Sequence, residues 1–191
     1  MKKYEILYRD EDLCVIHKRA GLAVQSARAS VPDLMSMLRN DLLEEGMKNP
    51  YLGLVNRLDQ PVEGILLVAF NEKAAADLSR QVADHIHMEK WYQALVCGKP
   101  SAESGTLVDY LLKDARNNLS KVVPEGTRGS KRSELTYEVL ESWEDQTLLK
   151  IRLLTGRHHQ IRVQLSHAGM PIVGDAKYGK GGGQLCLCSF K

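Results

Sequence analysis

The residues best suited to chemistry in this sequence lie in one stretch, LVNRLDQPVEGILLVAF, at residues 54–70. Arg57 and Asp59 flank Leu58, so in an extended backbone the guanidinium and the carboxylate emerge on the same side. The apolar run GILLVAF that follows predicts a strand buried on both faces. Asp59 is therefore a candidate catalytic carboxylate at the mouth of a core strand, although an Asp before Gln-Pro is also a common turn former.

Four stretches of the chain resemble, in the same order, the motifs of the RluA-like RNA pseudouridine synthases. The stretch around Asp59 resembles the strand motif in which that family carries its catalytic Asp. The others are residues 10–24 (DEDLCVIHKRAGLAV), 89–98 (EKWYQALVCG) and 155–179 (TGRHHQIRVQLSHAGMPIVGDAKYG). Because the matches extend over nearly the whole chain, the resemblance predicts the family's fold and its reaction, the isomerisation of uridine to pseudouridine in ribosomal or transfer RNA.

The resemblance also assigns roles to particular residues. Asp59 matches the carboxylate that attacks or stabilises the ribose, and Arg162 matches the cation that keeps this carboxylate ionised. Tyr92 matches the Tyr that stacks on the displaced uracil and could remove the C5 proton. Arg57 matches the residue that fills the space left when the target uridine leaves its stack, a task suited to a planar guanidinium. No cofactor is implied.

The sequence departs from the family pattern at a few positions. Asn56 stands where the family commonly has His, Val62 and Glu63 stand where it has Thr-Ser, and Cys188 stands where a His is frequent. All of the residues to which the resemblance assigns a role are present. We expect the departures to affect substrate details more than activity.

Composition predicts an ordinary globular protein. The chain has 191 residues, 43% hydrophobic and 26% charged, with a net charge of +2. It has no long apolar run and no secretory signal at its N-terminus, so we expect a cytoplasmic protein that does not enter membranes. The four cysteines form no CxxC pair, which indicates reduced thiols and neither a disulfide framework nor a zinc ribbon.

Periodicity predicts a succession of strands and helices, and the resemblance implies that they form an α+β fold, with a mostly antiparallel mixed sheet flanked by helices and an active-site cleft. Strands are predicted at residues 4–8, 13–17, 64–70, 90–97, 106–112, 119–123, 134–143 and 147–154, with a further strand starting at 185. In the strand at 90–97, either the face with Tyr92 or the opposite face could be the core. We expect one catalytic domain over 1–191, monomeric, with no S4-like RNA-binding module and with C-terminal strands missing.

Three helices are predicted from apolar repeats and capping residues. The first has Ser30 as its cap, Asp33 as the capping-box acid, and leucines at 34, 38 and 42. The second has Asn71 as its cap and an apolar stripe of Ala74, Leu78, Val82 and Ile86. The third begins at Thr155-Gly156, has a stripe of Ile161, Leu165 and Ala168, and ends at Gly169.

A basic segment is the best candidate for RNA contacts outside the catalytic motifs. Between residues 113 and 132 it carries six Lys or Arg against two acids. Such a segment is usually a solvated hairpin, but beside an RNA site its cations would contact phosphates. The candidate RNA-binding residues are Arg57, Arg116, Lys121, Lys131 and Arg132.

Two other classes of function compete with an RNA-modifying enzyme. The chain could be a catalytically inactive RNA-binding domain on the same fold. It could also be a metal hydrolase whose ligands are His158, His159, His167 and Asp175. Adjacent residues of a helix point about 100° apart, so His158 and His159 could not easily share one ion, and we expect no metal.

Overall fold

The structure is a computed structural model that describes residues 2–26, 30–84 and 87–191. The described part contains ten strands and three helices. The strands are β1 Tyr4–Arg9, β2 Leu13–Lys18, β3 Gly53–Leu54, β4 Glu63–Ala69, β5 Trp91–Cys97, β6 Ser104–Asp114, β7 Leu119–Val123, β8 Lys131–Ser142, β9 Gln146–Leu153 and β10 Leu187–Ser189. The helices are α1 Leu34–Glu44, α2 Glu72–Asp84 and α3 Gln160–His167. The α+β prediction is confirmed, and every predicted strand is present with bounds shifted by a few residues at most.

The chain divides into two compact units, Met1–Met88 and Glu89–Lys191. In the first unit β2 lies between β1 and β4, and β4 also pairs with β3. In the second unit the strand order is β10-β5-β9-β8-β6-β7, and α3 packs on β6 and β7. Every pair of strands described inside either unit is antiparallel.

Strand alternation places one face of each strand in a core. In the second unit the buried face of β5 carries Tyr92, Ala94 and Val96, which are 6%, 1% and 0% exposed. The core face of β5 is therefore the face with Tyr92, a choice that the sequence left open. In β4 one face is buried and the other is half-buried, so the prediction of burial on both faces was wrong. The reason is that an antiparallel strand needs full cover on one face only.

Helix α1 is capped by Asp33, not by Ser30 as predicted. Its carboxylate accepts a hydrogen bond from the Ser36 N–H at 2.8 Å, and the helix begins at the next residue, Leu34. A capping side chain must lie within reach of the first free N–H groups, which favours the residue immediately before the helix. The leucines at 34, 38 and 42 are fully buried as expected, and Gly46, with φ of 92°, follows the helix end.

Helix α2 begins after Asn71, whose side-chain oxygen accepts from the Ala74 N–H at 2.8 Å, so the predicted cap is confirmed. Its Ala74, Leu78 and Val82 are half-buried, and Ile86, the last member of the predicted stripe, lies outside the described residues. No helix in the described part is both long enough and apolar enough to cross a membrane.

Helix α3 begins at Gln160, so the predicted start at Thr155 was wrong. The Gln160 side-chain oxygen accepts from the Arg157 N–H at 2.9 Å and from the Thr155 hydroxyl at 2.8 Å, which closes the preceding residues into a loop. His159 has φ of 55°, a left-handed conformation that an α-helix cannot continue. At the other end Ala168 is an exposed C-cap residue and not part of the buried face.

Candidate active site

Asp59 lies in the loop that joins β3 to β4. Its carbonyl accepts a hydrogen bond from the Val62 N–H at 3.0 Å, so the predicted turn does form. Leu58 and Val62 are 7% and 3% exposed, whereas Asp59 is half-buried. Buried side chains on both sides therefore fix the position of the backbone, while Asp59 itself stays half-buried.

Asn56, one of the departures from the family pattern, has a structural partner. Its side-chain oxygen accepts from the Leu67 N–H at 2.8 Å, and the Val55 N–H donates to the Leu67 carbonyl at 3.2 Å. The chain before Asp59 is thus fastened to the middle of β4. The Glu63 carboxylate lies 3.2 Å from Nε2 of His17 on the neighbouring strand β2, so a second departure also has a polar partner.

Lys18 is buried beside the loop that carries Asp59, and no sequence pattern singled it out above. It is 0% exposed, and its ammonium donates to the carbonyls of Leu22 at 2.9 Å, Arg19 at 3.2 Å and Gln60 at 3.2 Å. Burial lowers the pKa of Lys18 to about 8, against the opposing attraction of the Asp59 and Glu63 carboxylates. A signal was available, because Lys18 falls on the same face of β2 as the apolar residues two and four positions earlier.

A glycine turn after β2 is tied to the same loop. The Gly21 N–H donates to the Gln60 carbonyl at 2.9 Å, and the Gln60 side chain donates to the Gly21 carbonyl at 3.1 Å. Gly21 has φ of 86°, which residues with a Cβ rarely adopt. The Gly21 turn and the residue next to Asp59 therefore hold each other in place.

Arg57 is exposed, and its side chain emerges from the same loop as Asp59 with buried Leu58 between them. An exposed guanidinium next to the candidate carboxylate is available to a ligand. Of the four residues to which the resemblance assigned roles, Arg57 and Asp59 are thus placed together in the first unit. Tyr92, on β5, and Arg162, on α3, lie in the second unit.

Arg162 is buried on α3, although an arginine in a helix more often faces solvent. It is 4% exposed, and its guanidinium donates to both oxygens of Asp175, from Nε at 2.8 Å and from Nη2 at 2.7 Å. The guanidinium carbon also lies 5.3 Å from the centre of the Tyr178 ring, within cation–π distance. This bidentate pairing fixes the orientation of the Arg162 side chain.

Asp175 braces a turn and in addition carries this ion pair. It is 1% exposed and also accepts from the Lys177 and Tyr178 N–H groups at 2.9 and 3.2 Å. Burial by itself would raise the pKa of Asp175, but the hydrogen bonds from Arg162 and from the Lys177 N–H hold that pKa below its ordinary value. The carboxylate is therefore ionised at neutral pH.

His158 and His159 stack on each other at 3.8 Å between ring centres. They precede α3, so the prediction that they point about 100° apart on a helix was wrong. Nδ1 of His159 lies 2.8 Å from the Tyr178 hydroxyl, and burial, reinforced by nearby positive groups, lowers the pKa of His159 to about 3. The imidazole of His159 is neutral at physiological pH.

The ring nitrogens of His158 are engaged by residues of the β6–β7 hairpin. Nδ1 lies 3.0 Å from the Ser120 hydroxyl, and Nε2 lies 3.0 Å from the Asn118 side-chain oxygen. The Ser120 N–H also donates to the Tyr178 hydroxyl at 2.7 Å. Within the described ranges, no group of three or more His, Cys, Asp or Glu side chains is placed to hold a metal ion.

The predicted basic segment runs along β6, β7 and the start of β8. Its six cations are all exposed: Lys113, Arg116, Lys121, Arg128, Lys131 and Arg132. Two of them have acidic neighbours, with Lys121 at 3.8 Å from Asp114 and Arg132 at 2.5 Å from Glu134. The segment is thus an exposed basic surface on the outer strands of the second unit's sheet.

Comparison with known proteins agrees with these motifs. The family model described as RNA pseudouridylate synthase matches residues 12–167. The chain therefore belongs to the RNA pseudouridylate synthase family. The RluA-like resemblance of the sequence is confirmed by relatives named ribosomal large subunit pseudouridine synthase, such as synthase D of Zymomonas mobilis, which is 34% identical over 185 residues.

These relatives are longer than this chain. The Zymomonas protein is matched over 92% of this chain but 56% of its own length. An uncharacterized RNA pseudouridine synthase of Bacillus subtilis, YlyB, is 34% identical over 92% of this chain and 57% of its own length. The chain thus spans about half the length of the curated relatives it matches. Human RNA pseudouridylate synthase domain containing 1 has a similar fold, with a TM-score of 0.80 at 26% identity over 98% of this chain and 76% of that chain.

Proposed function

We propose that this protein isomerises uridine to pseudouridine in structured RNA, with Asp59 as the reacting carboxylate. The observation that carries the proposal is the position of Asp59 in a chain of this family, half-buried on a loop held by the buried neighbours Leu58 and Val62. A carboxylate held on a rigid backbone is the arrangement that a reacting group requires.

One carboxylate suffices for this reaction. The bond from uracil N1 to ribose C1′ breaks, the base rotates, C5 bonds to C1′, the C5 proton is removed and N1 takes up a proton. No water is consumed, whereas a glycoside hydrolase needs a second carboxylate to handle water. Asp59 either attacks the ribose or stabilises its positive charge, and no cofactor takes part.

The remaining roles follow the family resemblance. Tyr92 contacts the displaced uracil and removes the C5 proton, a step that needs help because a free phenol has a pKa of about 10. Arg162 supplies positive charge for the Asp59 carboxylate, and its fixed pairing with Asp175 suits this task. Arg57, exposed beside Asp59, takes the place of the extruded uridine.

Ribosomal RNA is the substrate that we propose, because the relatives in Zymomonas mobilis and Vibrio cholerae are named ribosomal large subunit pseudouridine synthases D and C. Transfer RNA is the alternative. Pseudouridine mapping across total RNA from cells lacking the gene tests this choice. Loss of a site in ribosomal RNA supports it, and loss confined to transfer RNA contradicts it.

The role of Asp59 is tested by Asp59→Asn, which keeps the shape of the side chain and removes its charge. Single-turnover pseudouridine formation should fall at least roughly a thousandfold, a barrier change of about 4 kcal/mol. RNA affinity should stay close to that of the parent, since phosphate contacts are made elsewhere. An inactive RNA-binding domain would show no turnover in the parent either.

Asp10 provides a matched control, because it is a turn-forming Asp whose side chain accepts from the Asp12 and Leu13 N–H groups at 2.8 Å. Asn serves equally well in turns, so Asp10→Asn should keep the parent's rate. A tenfold loss of rate corresponds to a rise of about 1.4 kcal/mol in the activation barrier. If Asp59→Asn loses less than this and retains more than about a tenth of the parent rate, Asp59 is not the reacting group.

A further inference from the structure

We propose that a cavity beside the C-terminal end of α3 is a subsite for one nucleotide of the RNA. The cavity has a volume of about 280 Å³ and lies within the second unit. It is lined by the loop after β5, by side chains of β6 and β8, and by the segment after α3, among them Lys99, Pro100, Ser101, Leu107, Tyr137 and Met170. The inference rests on the proposed function in one respect, because it takes RNA to be the ligand.

The hydroxyl of Tyr137 is the polar group that indicates a ligand. Tyr137 is only 8% exposed and lines the cavity, yet its hydroxyl has no hydrogen-bond partner among the residues that the structure describes. Buried tyrosines usually place their hydroxyl against a partner, and a phenylalanine would fill the same space without a polar group to satisfy. A molecule in the cavity is therefore the partner that this hydroxyl lacks.

The Tyr137 ring is held in place by the neighbouring strand. Gly105 of β6 lies directly opposite Tyr137 of β8, and a Cβ at Gly105 would come within 2.7 Å of Cε1 of the ring. A glycine inside a strand often marks a place where another group approaches the backbone closely, which here is the Tyr137 ring. The direction of the hydroxyl is thus fixed before a ligand arrives, and this lowers the entropic cost of binding.

Lys99 gives the cavity its positive charge. It is the one charged side chain among the described residues that line the cavity, it is exposed, and it forms no ion pair with a carboxylate of the described part. An ammonium without an acidic neighbour favours an anionic ligand, and phosphate is the anion that RNA presents at every nucleotide. The hydroxyl of Ser101 adds a second donor for phosphate oxygens beside this ammonium.

The rest of the cavity suits a nucleobase. Pro100, Leu107 and Met170 provide apolar surface for the flat face of a base. The C-terminal end of α3 carries partial negative charge, which attracts the N–H groups of a base and would repel a second phosphate. The volume lies near the lower limit of small-molecule sites, about 300 Å³, so the cavity holds one nucleotide at most.

This subsite contacts a different nucleotide from the target uridine. Tyr92, the proposed contact of the displaced uracil, lies near the start of β5, whereas Lys99 follows the end of that strand at Cys97. The strand from Tyr92 to Cys97 spans roughly 16 Å at about 3.3 Å per residue. We therefore expect the cavity to contribute to RNA affinity and to the choice of site, and to leave the chemical step unchanged.

The first test titrates the protein with each of the four nucleoside 5′-monophosphates while NMR follows the methyl group of Met170. The nucleotides should shift this signal saturably. Tyr137→Phe, which removes one hydrogen bond, should weaken binding roughly two- to tenfold. Lys99→Gln should also weaken binding and make it less sensitive to salt. Inorganic phosphate should bind more weakly than the nucleotides, because it lacks a base.

Two matched controls change the same groups elsewhere in the second unit. Tyr110 has its hydroxyl against Glu125 and Lys180 is exposed, and neither residue lines the cavity. Tyr110→Phe and Lys180→Gln should therefore bind nucleotides like the parent. The proposal is overturned if no nucleotide shifts the Met170 signal, if inorganic phosphate binds as tightly as the nucleotides, or if the controls weaken binding as much as the cavity variants.

The second test uses the RNA identified by pseudouridine mapping. Tyr137→Phe should raise, by a few fold, the RNA concentration that gives half of the maximal single-turnover rate. The rate at saturation should stay that of the parent, and a lower saturated rate contradicts a role confined to binding. Asp59→Asn should bind nucleotides in the cavity as the parent does.

The two assays separate failure of the subsite from failure of the proposed function. If the parent forms pseudouridine but nucleotides leave the Met170 signal unchanged, the subsite alone is wrong. If nucleotides shift that signal but the parent forms no pseudouridine in any RNA, the proposed function is wrong and the nucleotide site stands.

Discussion

The buried pair of Arg162 and Asp175 ties helix α3 to the loop that follows it. Both side chains are almost inaccessible, and Asp175 occupies both Nε and Nη2 of the guanidinium. A buried guanidinium that loses its carboxylate keeps its desolvation penalty without the compensating attraction. Asp175 therefore fixes the orientation of the Arg162 guanidinium.

Asp175→Asn should lower the free energy of unfolding by about 3 to 5 kcal/mol at neutral pH. Because the folded-state pKa of Asp175 lies below the unfolded value of about 3.9, the carboxylate stabilises the protein fully above that value. This contribution is lost as the pH falls through the lower folded-state pKa. Urea unfolding from pH 7 to pH 2 should show the parent approaching the variant at the acidic end.

Asp145→Asn is a suitable control for this measurement, because Asp145 is exposed. Its free energy of unfolding should remain within about 0.5 kcal/mol of the parent's. If Asp175→Asn is no less stable than Asp145→Asn, the bidentate pair makes no measurable contribution to the free energy of unfolding, and Asp175 does not fix the position of Arg162.

At the scale of elements, the β6–β7 hairpin is fastened to the segments that precede and follow α3. Ser120 contacts His158 through its hydroxyl and Tyr178 through its N–H, while the Lys177 ammonium donates to the Asn118 carbonyl at 2.7 Å. The exposed cations of the basic segment are thus carried on strands whose base is anchored. A fixed array of cations is better suited to phosphates at set spacing than a mobile one.

Neutralising part of this surface, with Lys131→Gln and Arg132→Gln together, should weaken RNA binding. The slope of log affinity against log salt should become shallower by roughly one unit per lost phosphate contact. Binding titrations over a range of salt concentrations measure this slope. Arg132 also lies beside Glu134, so the variant frees an acid that adds to the repulsion of RNA.

The matched control removes the same charge from another exposed surface. Lys73 and Arg80 lie exposed on α2, and changing both to Gln should leave the slope closer to that of the parent. An equal change in both double variants would mean that net charge alone matters. An unchanged slope in the Lys131 and Arg132 variant would mean that these residues only face solvent.

At the scale of the whole molecule, the residues proposed for the reaction are divided between the two compact units. Arg57 and Asp59 belong to the first, Tyr92 and Arg162 to the second. Asp59 is held by buried neighbours within the first unit and Arg162 by a buried ion pair within the second, so each can be studied by substitutions within its own unit. The proposed reaction uses these side chains alone, without an activated water.

Turnover should accordingly survive removal of divalent metal ions. The ring nitrogens of His158 are engaged by Asn118 and Ser120, and Nδ1 of His159 by Tyr178. The measurement is single-turnover pseudouridine formation after extensive chelation, with monovalent salt maintaining the fold of the RNA. Complete loss that zinc restores, with the RNA still folded, would favour the metal hydrolase.

The sequence by itself determined the elements and the family. Alternation and apolar spacing depend on neighbours along the chain, so β7 was predicted with its observed bounds and the buried leucines of α1 were identified correctly. The cap formed by Asn71 was also predicted correctly, because a capping side chain contacts N–H groups only two or three residues away in the chain. The motif around Asp59 was recognised for the same reason, because it is contiguous.

Only the tertiary structure decided which side chains are buried together. Lys18 meets Gln60 because β2 and β4 pair in one particular register, with Lys18 opposite Gly64, and no local pattern specifies that register. Likewise Arg162 meets Asp175 through a loop whose path depends on packing. The start of α3 was mispredicted because the Gln160 side chain closes a loop that apolar spacing cannot reveal. Contacts between residues distant in sequence depend on how whole elements pack, and that is settled only when the cores form.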